Sequence, residues 1–531
     1  MNKQNRFNPG KRIWLAIALC SLAFLSLFYR AKNNRMASSP RTFITYSLLS
    51  HNVATIQNNP LEYTTTLRLV AYDGNDKHLQ RAAKKLLAID VSPEALKGSI
   101  PFMSLEKALV GILKLLYQHR GEKCSQKEAQ RRVRSWFKKN FSITEAVSLE
   151  QLVEMPKGLG RLDKTMRQLG MNRFSPLFFN RDLVNAWMQY KGNLSILDFA
   201  EKWKKSMLPH LHDLYPQQMD EKGVRRIDQE VLSNFLFDIY VAKTIVDSQG
   251  ASAWSYLVCT LQKKPLGNKQ LKNQKLVAIY KEQNPDIICL QESDKSLTDL
   301  LCQEGYFIPP NANTAGSVIL YKKETFEKAH ITPLTFDLTD SKRVKQLSGR
   351  AKEGLTNSEA VVHQVEIDGM IWIIDSFHAV SDGENSEAHL EVVFALKDRL
   401  EKKHAKKVLL LVAMDGNTTQ QTAIAGDQKK SLQEIQNFVK EQSNDFTFVK
   451  HVGEDLGTVR KERSIFQVQT KKTHVEFSGI SDFILVSKQV SCNGKRLIWK
   501  QRAAYMSSYG PNLTDNPSDH RAIGVTFSLE T

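Results

Sequence analysis

The sequence predicts an α/β layered domain in the second half of the chain and a mostly helical region before it. Up to about residue 248, Leu, Ala and Ile recur at i, i+3 and i+4, which is the spacing of amphipathic helices. After about residue 250, short β-rich runs such as DIICLQE and KVLLLVAMDGN alternate with helical stretches such as AHLEVVFALKDRLEKKH. This alternation is typical of an α/β sheet, and the short links between many runs favour mixed strand directions.

Four segments are therefore expected along the 531 residues. Residues 1–30 contain an apolar run, and residues 31–60 are polar and hold Asn, Ser and Pro, as a linker does. Residues 61–250 form a basic, mostly helical domain whose role the sequence does not indicate. Residues 253–531 form the α/β domain. The sequence indicates no protein partner.

The apolar run IWLAIALCSLAFLSLFY, from Ile13 to Tyr29, contains no charged residue. Its length is at the short end of what spans a bilayer. We expect a single-pass N-terminal membrane anchor, and the alternatives are a cleaved signal peptide and a buried helix. The FYR that closes the run lacks the small residues of a cleavage site. Four basic residues on each side leave the orientation of the anchor open.

The net charge of +18 lies almost entirely in the first half of the chain. Residues 1–250 hold 38 Lys and Arg against 22 Asp and Glu, whereas residues 251–531 hold 36 against 34. The predicted helix KEAQRRVRSWFKKNF is strongly basic. Its cations could meet lipid headgroups or nucleic-acid phosphates, or they could simply be the solvated face of an ordinary amphipathic helix.

Polar residues that suit metal or phosphate chemistry stand at the ends of several predicted strands of the α/β domain. Strand ends are where such sheets place their functional groups. Each of these residues alone is an ordinary turn residue, but together they form a pattern. The residues are Glu292, His378, Asp415, Asn417, Asp482, Asp519 and His520.

The order of these motifs resembles the metal-dependent endonuclease/exonuclease/phosphatase family. PDIICLQE is similar to the family's metal-ligand strand, SFHA to its Asn-x-His, MDGN to its Gly-Asp-x-Asn, and SDFILVS to its Asp-Tyr-Ile strand. PSDHRAIGVTF resembles its closing Ser-Asp-His and last strand. The resemblance covers residues 253–531, over half the chain. It implies a four-layer α/β sandwich in which two packed mixed β-sheets are flanked by helices.

The resemblance also implies phosphate-ester hydrolysis supported by Mg²⁺, with Mn²⁺ as the alternative ion. Glu292 and Asp519 are the implied carboxylate ligands. A carboxylate is a hard oxygen donor, which is what Mg²⁺ prefers. The family's first strand usually ends in an Asn that helps to hold the metal, and SYLVCTLQ aligns Gln262 with that position. Ser376 replaces the usual Asn near the His, which is a second departure.

The remaining motif residues receive catalytic roles by the same resemblance. Asp415 is the candidate to orient and deprotonate the attacking water, and Asn417 to hydrogen-bond the phosphate. His378 and His520 would donate hydrogen bonds to its non-bridging oxygens. Asp482 would fix the tautomer of His520, as carboxylates do for catalytic histidines. Whether His520 or Asp415 is the base stays open.

The predicted function is therefore that of a membrane-anchored, metal-dependent phosphoesterase that cleaves a phosphodiester in the manner of a nuclease. A phosphoinositide or sphingolipid phosphatase or phospholipase at the membrane surface is the first alternative. A catalytically weakened homologue that only binds is the second. The expected partners are a nucleic acid or a phospholipid headgroup, together with an anionic surface for the basic half of the chain.

Overall fold

The computed structural model of this protein describes the chain in segments between residues 43 and 530. The described residues are 43–53, 71, 76–89, 99–140, 145–148, 195–208, 211, 221–261, 263–265, 268–338, 341–356, 359–380, 383–418, 432–443, 445–449, 459–462, 476–479, 482–488, 491–492, 495–500, 520 and 522–530. The predicted anchor, Ile13–Tyr29, lies outside them. None of the helices in these segments is long and apolar enough to cross a membrane.

A strand comes first, and a helical module follows it. The elements are β1 (Phe43–Asn52), α1 (Lys77–Leu87), β2 (Ser99–Pro101), α2 (Phe102–His119), α3 (Gln126–Asn140), β3 (Ala146–Ser148), α4 (Ile196–Met207), α5 (Glu221–Asp247) and α6 (Ala251–Leu261). Apolar residues at helical spacing form one core within this module, as the sequence predicts. Trp136 and Phe137 of α3 belong to that core, so the basic residues of α3 are left on its outer side.

The α/β domain continues from the next helix to the end of the chain. Its first elements are α7 (Lys269–Gln283), β4 (Ile287–Ser293), α8 (Lys295–Gln303), β5 (Tyr306–Phe307), β6 (Gly316–Lys322), α9 (Lys323–Phe326), β7 (His330–Leu334), α10 (Lys342–Gln346) and α11 (Gly349–Thr356). The later ones are β8 (Ala360–Ile367), β9 (Met370–His378), α12 (Ser386–His404), β10 (Val408–Asp415), α13 (Leu432–Gln442), β11 (Phe446–Phe448), β12 (Val459–Glu462), β13 (Glu476–Gly479), β14 (Asp482–Ser487), β15 (Ser491–Cys492), β16 (Lys495–Lys500) and β17 (Ile523–Glu530).

Two mixed sheets pack face to face in this domain. The seven-stranded sheet has the order β15-β16-β17-β1-β4-β6-β5, and the six-stranded sheet has the order β11-β14-β10-β9-β8-β7. Alternate residues of each strand, such as Leu48 and Trp372, meet in the core between the sheets. Helices α7 and α8 cover the outer face of the first sheet, and α12 and α13 cover that of the second. The predicted four-layer sandwich is confirmed.

Two predictions about the start of this domain are wrong. SYLVCTL was expected to be its first strand, but these residues belong to helix α6, because Trp254 and Leu257 pack at helical spacing in the core of the helical module. The first strand is β1, inside the segment that was expected to be a linker. It pairs antiparallel with β17 and parallel with β4. The α/β domain is therefore interrupted after Asn52 and resumes at α7.

Candidate active site

Three ionisable side chains stand in one row across the six-stranded sheet. Asp415, the last residue of β10, is the register partner of His378 on parallel β9. It is also the register partner of Asp482 on antiparallel β14. Ala413 and Ser376, two positions before Asp415 and His378, point toward the seven-stranded sheet. Because side chains two positions apart lie on the same face of a strand, the row faces the cleft between the sheets. Strand register alone brings these three predicted residues together.

Glu292 enters the site from the seven-stranded sheet through a break in strand regularity. The β4–β6 pairing shifts register between Leu290 and Ser293, and Glu292 has a φ of +51°. A left-handed conformation is uncommon for a residue with a side chain and indicates a position fixed by its surroundings. The carboxylate of Glu292 is buried, and its Oε1 lies 3.4 Å from Nε2 of His378.

Asn52, which the sequence analysis did not select, lies at the centre of the site. It is the last residue of β1, is fully buried, and its Nδ2 donates to Oδ2 of Asp415 at 2.7 Å. The same nitrogen lies 3.5 Å from Oε1 of Glu292. The amide therefore occupies the place that was assigned to Gln262, which lies outside the described residues. The alternation of apolar and polar residues in FITYSLL, just before Asn52, is the sequence signal of the strand that carries it.

His520 and Asp482 form a close pair next to Asp415. Nδ1 of His520 donates to Oδ2 of Asp482 at 2.8 Å, which turns Nε2 toward Asp415, whose Oδ2 is 3.9 Å away. All three side chains are buried, and one ligand atom from each lies within 4.8 Å of the others. Asp519, the neighbour of His520 and a predicted metal ligand, lies outside the described residues.

His51 holds the backbone of His520 from the outer face of the sheet. Nε2 of His51 lies 3.3 Å from the carbonyl oxygen of His520, and its Nδ1 lies 2.7 Å from the hydroxyl of Tyr280. Because a carbonyl oxygen only accepts, Nε2 carries the proton, and Nδ1 accepts from Tyr280. This network is buried and links α7 to His520 of the closing motif.

His378 is surrounded by carboxylates. Its Nδ1 donates to Oε2 of Glu359 at 2.8 Å, and its Nε2 faces Glu292 and Asp415. Burial by itself lowers the pKa of this imidazole, but the three carboxylates, Glu359 most of all, outweigh burial and raise the pKa to about 9. At neutral pH, His378 is therefore a cation that compensates part of the negative charge of the site. Glu359 lies in the turn before β8 and was not selected from the sequence.

Asn417 and Ser376 complete the surroundings of the site. The backbone N–H of Asn417 donates to Oδ1 of Asp415 at 2.9 Å, and its side-chain nitrogen donates to the carbonyl oxygen of Ala379 at 2.7 Å. Ser376 donates to the carbonyl oxygen of Leu290 and accepts from Nε2 of Gln291, both at 3.0 Å. Ser376 therefore ties the two sheets together beneath the site.

The comparisons with known proteins give distant structural similarity only. No protein-family model matches the chain, and no curated protein matches it. A solved structure of D. rerio TDP2 complexed with single-strand DNA product has 14% identity and a TM-score of 0.32, and covers 49% of this chain and 92% of its own. For ANGEL2, a 2′,3′-cyclic phosphatase, the values are 14%, 0.31, 48% and 85%. For an endonuclease/exonuclease/phosphatase from Bacteroides vulgatus they are 15%, 0.31, 50% and 92%. At these TM-scores the function is inferred from the side chains alone.

Proposed function

We propose that this protein is a metal-dependent hydrolase that cleaves a phosphodiester. The observation that supports the proposal most is the convergence of Asp415 with the Asp482–His520 pair on one side and with Asn52 and Glu292 on the other. Buried carboxylates that face one another cost free energy and are typical of functional sites. An Asp–His pair beside a further carboxylate can hold and move a proton at the centre of such a site.

The donor set at Glu292 fits a divalent cation. Glu292 supplies a buried carboxylate at the edge of the cleft, and the Asn52 amide lies next to it, with its nitrogen 3.5 Å from Oε1 of Glu292. Mg²⁺ prefers carboxylate oxygens, whereas the set formed by Asp415, Asp482 and His520 includes an imidazole, so we assign the ion to Glu292, beside the Asn52 amide. When bound, Mg²⁺ or Mn²⁺ polarises a phosphoryl oxygen and offsets its negative charge.

The side chains of the site have separate roles in the rest of the reaction. Asp415 is oriented by the Asn52 side chain and the Asn417 backbone, and it accepts a hydrogen bond from the attacking water. His520, held by Asp482, donates from Nε2 to a non-bridging phosphate oxygen. His378 stands across the cleft as a second donor. Asp415 takes the proton of the water if His520 enters the reaction protonated on Nε2. The alternative is that His520 enters with Nε2 unprotonated and takes the proton itself instead of donating to the phosphate. The pH dependence of kcat in Asp415→Asn and His520→Gln distinguishes the two.

The identity of the ester is tested with the full chain in mild detergent. We expect Mg²⁺-dependent hydrolysis of bis(4-nitrophenyl) phosphate and of DNA or RNA, which EDTA abolishes. Glu292→Gln and His520→Gln should each reduce the rate by at least about 100-fold. Asp375→Asn is the matched control, because Asp375 makes a similar buried pair with His389 outside the site. No hydrolysis of any ester, or hydrolysis indifferent to both site variants, would contradict the proposal.

A phosphoinositide or sphingolipid is the second candidate substrate. The observation that favours it is the apolar run Ile13–Tyr29, which we propose as a membrane anchor. Hydrolysis of phosphoinositides in vesicles at a rate far above that of oligonucleotides would select this candidate. Alkaline carbonate extraction tests the anchor itself, because release of the full chain into the soluble fraction contradicts it.

A further inference from the structure

The helical module is inserted into the α/β domain at the catalytic end of the seven-stranded sheet. The chain leaves β1 directly after Asn52, where the N–H of Val53 still donates to the carbonyl oxygen of Gln291 at 3.0 Å. It returns at the start of α7, where Nζ of Lys269 lies 2.6 Å from Oδ2 of Asp294. Because Asn52 and Asp294 flank the candidate metal ligand, both connections of the module lie beside the active site.

Helix α3 of this module carries a row of four basic residues on one face. Lys127, Arg131, Arg134 and Lys138 are spaced i, i+4, i+7 and i+11, so they fall within one narrow stripe about 16 Å long. We call these four residues the basic stripe. All four are exposed, and the only described carboxylate that pairs with them is Glu106, which accepts from Arg134. Three cations are therefore available to an anionic partner.

The environment of the basic stripe favours a nucleic acid over a membrane. An interfacial helix buries its own apolar face in the lipid, but the apolar face of α3, with Val133, Trp136 and Phe137, packs inside the module. No large apolar residue accompanies the stripe on the exposed side of α3. The exposed face of α3 therefore presents a line of cations about one helical turn apart. Neutralisation of phosphates by such cations supplies most of the affinity for nucleic-acid backbones.

We propose that the basic stripe binds the phosphate backbone of a nucleic acid and that the inserted module thereby holds the polynucleotide at the catalytic end of the sheet. This inference rests on the proposed function for its role in catalysis. It identifies the class of ester as an internal phosphodiester of a polynucleotide. Binding to α3 is independent of the metal site, so the two can be measured separately.

The test uses the full chain in mild detergent, a fluorescein-labelled 20-nucleotide single strand, and EDTA to prevent cleavage. The triple variant Lys127→Gln, Arg131→Gln, Lys138→Gln leaves the Arg134–Glu106 pair intact. Because a single strand contributes about 0.7 to the salt slope per phosphate contact, we expect the slope of log K against log salt to fall by about 2. The affinity at low salt should fall by at least about 10-fold, whereas the rate with bis(4-nitrophenyl) phosphate stays unchanged.

The matched control removes three cations from the opposite end of the sandwich. The exposed residues are Lys323, directly after β6, and Lys402 and Lys403, in the last turn of α12, all at the end of the sandwich remote from the site. Their change to Gln should alter neither the salt slope nor the affinity for the single strand. Equal slopes for the wild type and the stripe variant would overturn the inference, as would equal losses in both triple variants. A stripe variant that loses only binding to anionic phosphatidylserine vesicles would overturn it in favour of a membrane. Intact salt-dependent binding without hydrolysis by the wild type would support the stripe and overturn the proposed function alone.

Discussion

Buried carboxylates have different partners in the helical module and in the α/β domain. In the module, each has its own donor: Asp228 accepts from Arg120 at 2.8 Å, and Asp238 accepts from Nε1 of Trp203 at 2.8 Å. Glu106 is likewise paired, across the interface of α2 and α3. Each of these contacts joins two helices of the module. These contacts therefore stabilise the packing of the helices.

At the candidate site of the α/β domain, buried carboxylates converge on one another instead. Glu292, Asp415 and Asp482 surround a common cleft, where amides and imidazoles contact them. Like charges that are buried together oppose folding, so stability alone does not explain them. Elsewhere in the α/β domain, buried carboxylates do pair with cations, as Asp294 does with Lys269, so the convergence is specific to the candidate site. Substitutions in the module and at the candidate site should accordingly have opposite consequences.

The largest effect is expected for Asp415→Asn. This change removes the carboxylate that orients the water but keeps the volume of the side chain, so kcat should fall by about 100- to 10,000-fold. The loss of one of several buried like charges offsets the loss of one hydrogen bond, from Asn52 or from the Asn417 N–H, so the thermal unfolding temperature in EDTA should change little. Steady-state kinetics and a thermal melt measure the two quantities. A variant with more than a tenth of the wild-type kcat would break the distinction between the module and the site.

The opposite pattern is expected for Arg120→Met in the helical module. Both Arg120 and Asp228 are buried, so removal of the cation leaves an uncompensated carboxylate and should destabilise the module by about 3 kcal/mol. Hydrogen exchange, resolved by peptide, should show lost protection in α2 and α5 and normal protection in β9 and β10. The kcat with bis(4-nitrophenyl) phosphate should not change.

The control for this prediction is Arg225→Met, which breaks the exposed Arg225–Glu221 pair of α5. An exposed pair contributes little, so exchange should stay within about 0.5 kcal/mol of the wild type. If Arg120→Met lowers kcat at constant folded fraction, the module takes part in the chemistry and the comparison of the module with the site fails.

A smaller effect is expected for Asp482→Asn, because Asp482 acts through His520. We expect kcat to fall by about 10- to 100-fold, and the double variant with His520→Gln to be hardly slower than His520→Gln alone, since residues that act as a unit are not additive. Asp375→Asn is the control, because Nε2 of His389 lies 2.8 Å from Asp375 in an equally buried pair beneath α12. A similar loss of kcat in Asp375→Asn would show that any buried Asp–His pair of this sheet matters equally.

The sequence predicted the six-stranded half of the site better than the seven-stranded half. His378, Asp415 and Asp482 stand at the ends of regular apolar strands, and regular register brings them together. Periodicity does not indicate Asn52, because the whole helical module separates β1 from its neighbour β4 in the sequence and no local pattern reveals that two such distant segments pair. The sequence of SYLVCTL favours a strand there instead, since a short apolar run suits a strand and a buried helix equally.

Glu359 and His51 show a second limit of the sequence. Neither belongs to a motif at the end of an apolar strand within the predicted domain, and each is identified only by the atom that it contacts. Glu359 is placed by the hairpin of β8 and β9, and His51 by its hydrogen bonds to Tyr280 and His520. Supporting contacts of this kind depend on three-dimensional packing, which no local pattern of residues encodes.

The smallest effect on kcat is expected for Tyr280→Phe. Tyr280 donates to Nδ1 of His51 and thereby keeps the proton of His51 on Nε2, where it donates to the carbonyl oxygen of His520. Without the hydroxyl, His51 is free to take the other tautomer, in which Nε2 no longer donates to that carbonyl. We expect kcat to fall by about 3- to 10-fold with KM unchanged, because the backbone of His520 loses a fixed position but the phosphate contacts remain.

Tyr306→Phe separates this positioning role from the general loss of a buried hydroxyl. Tyr306 belongs to the same apolar cluster as Tyr280, and its hydroxyl donates to the carbonyl oxygen of Pro285 at 2.8 Å, without contact to the site. Both variants should lose about 1 kcal/mol of stability, since each removes one buried hydrogen bond. Only Tyr280→Phe should lower kcat. Equal kcat values in the two variants would mean that the hydrogen bonds of His51 stabilise the fold and do not position His520 for the reaction.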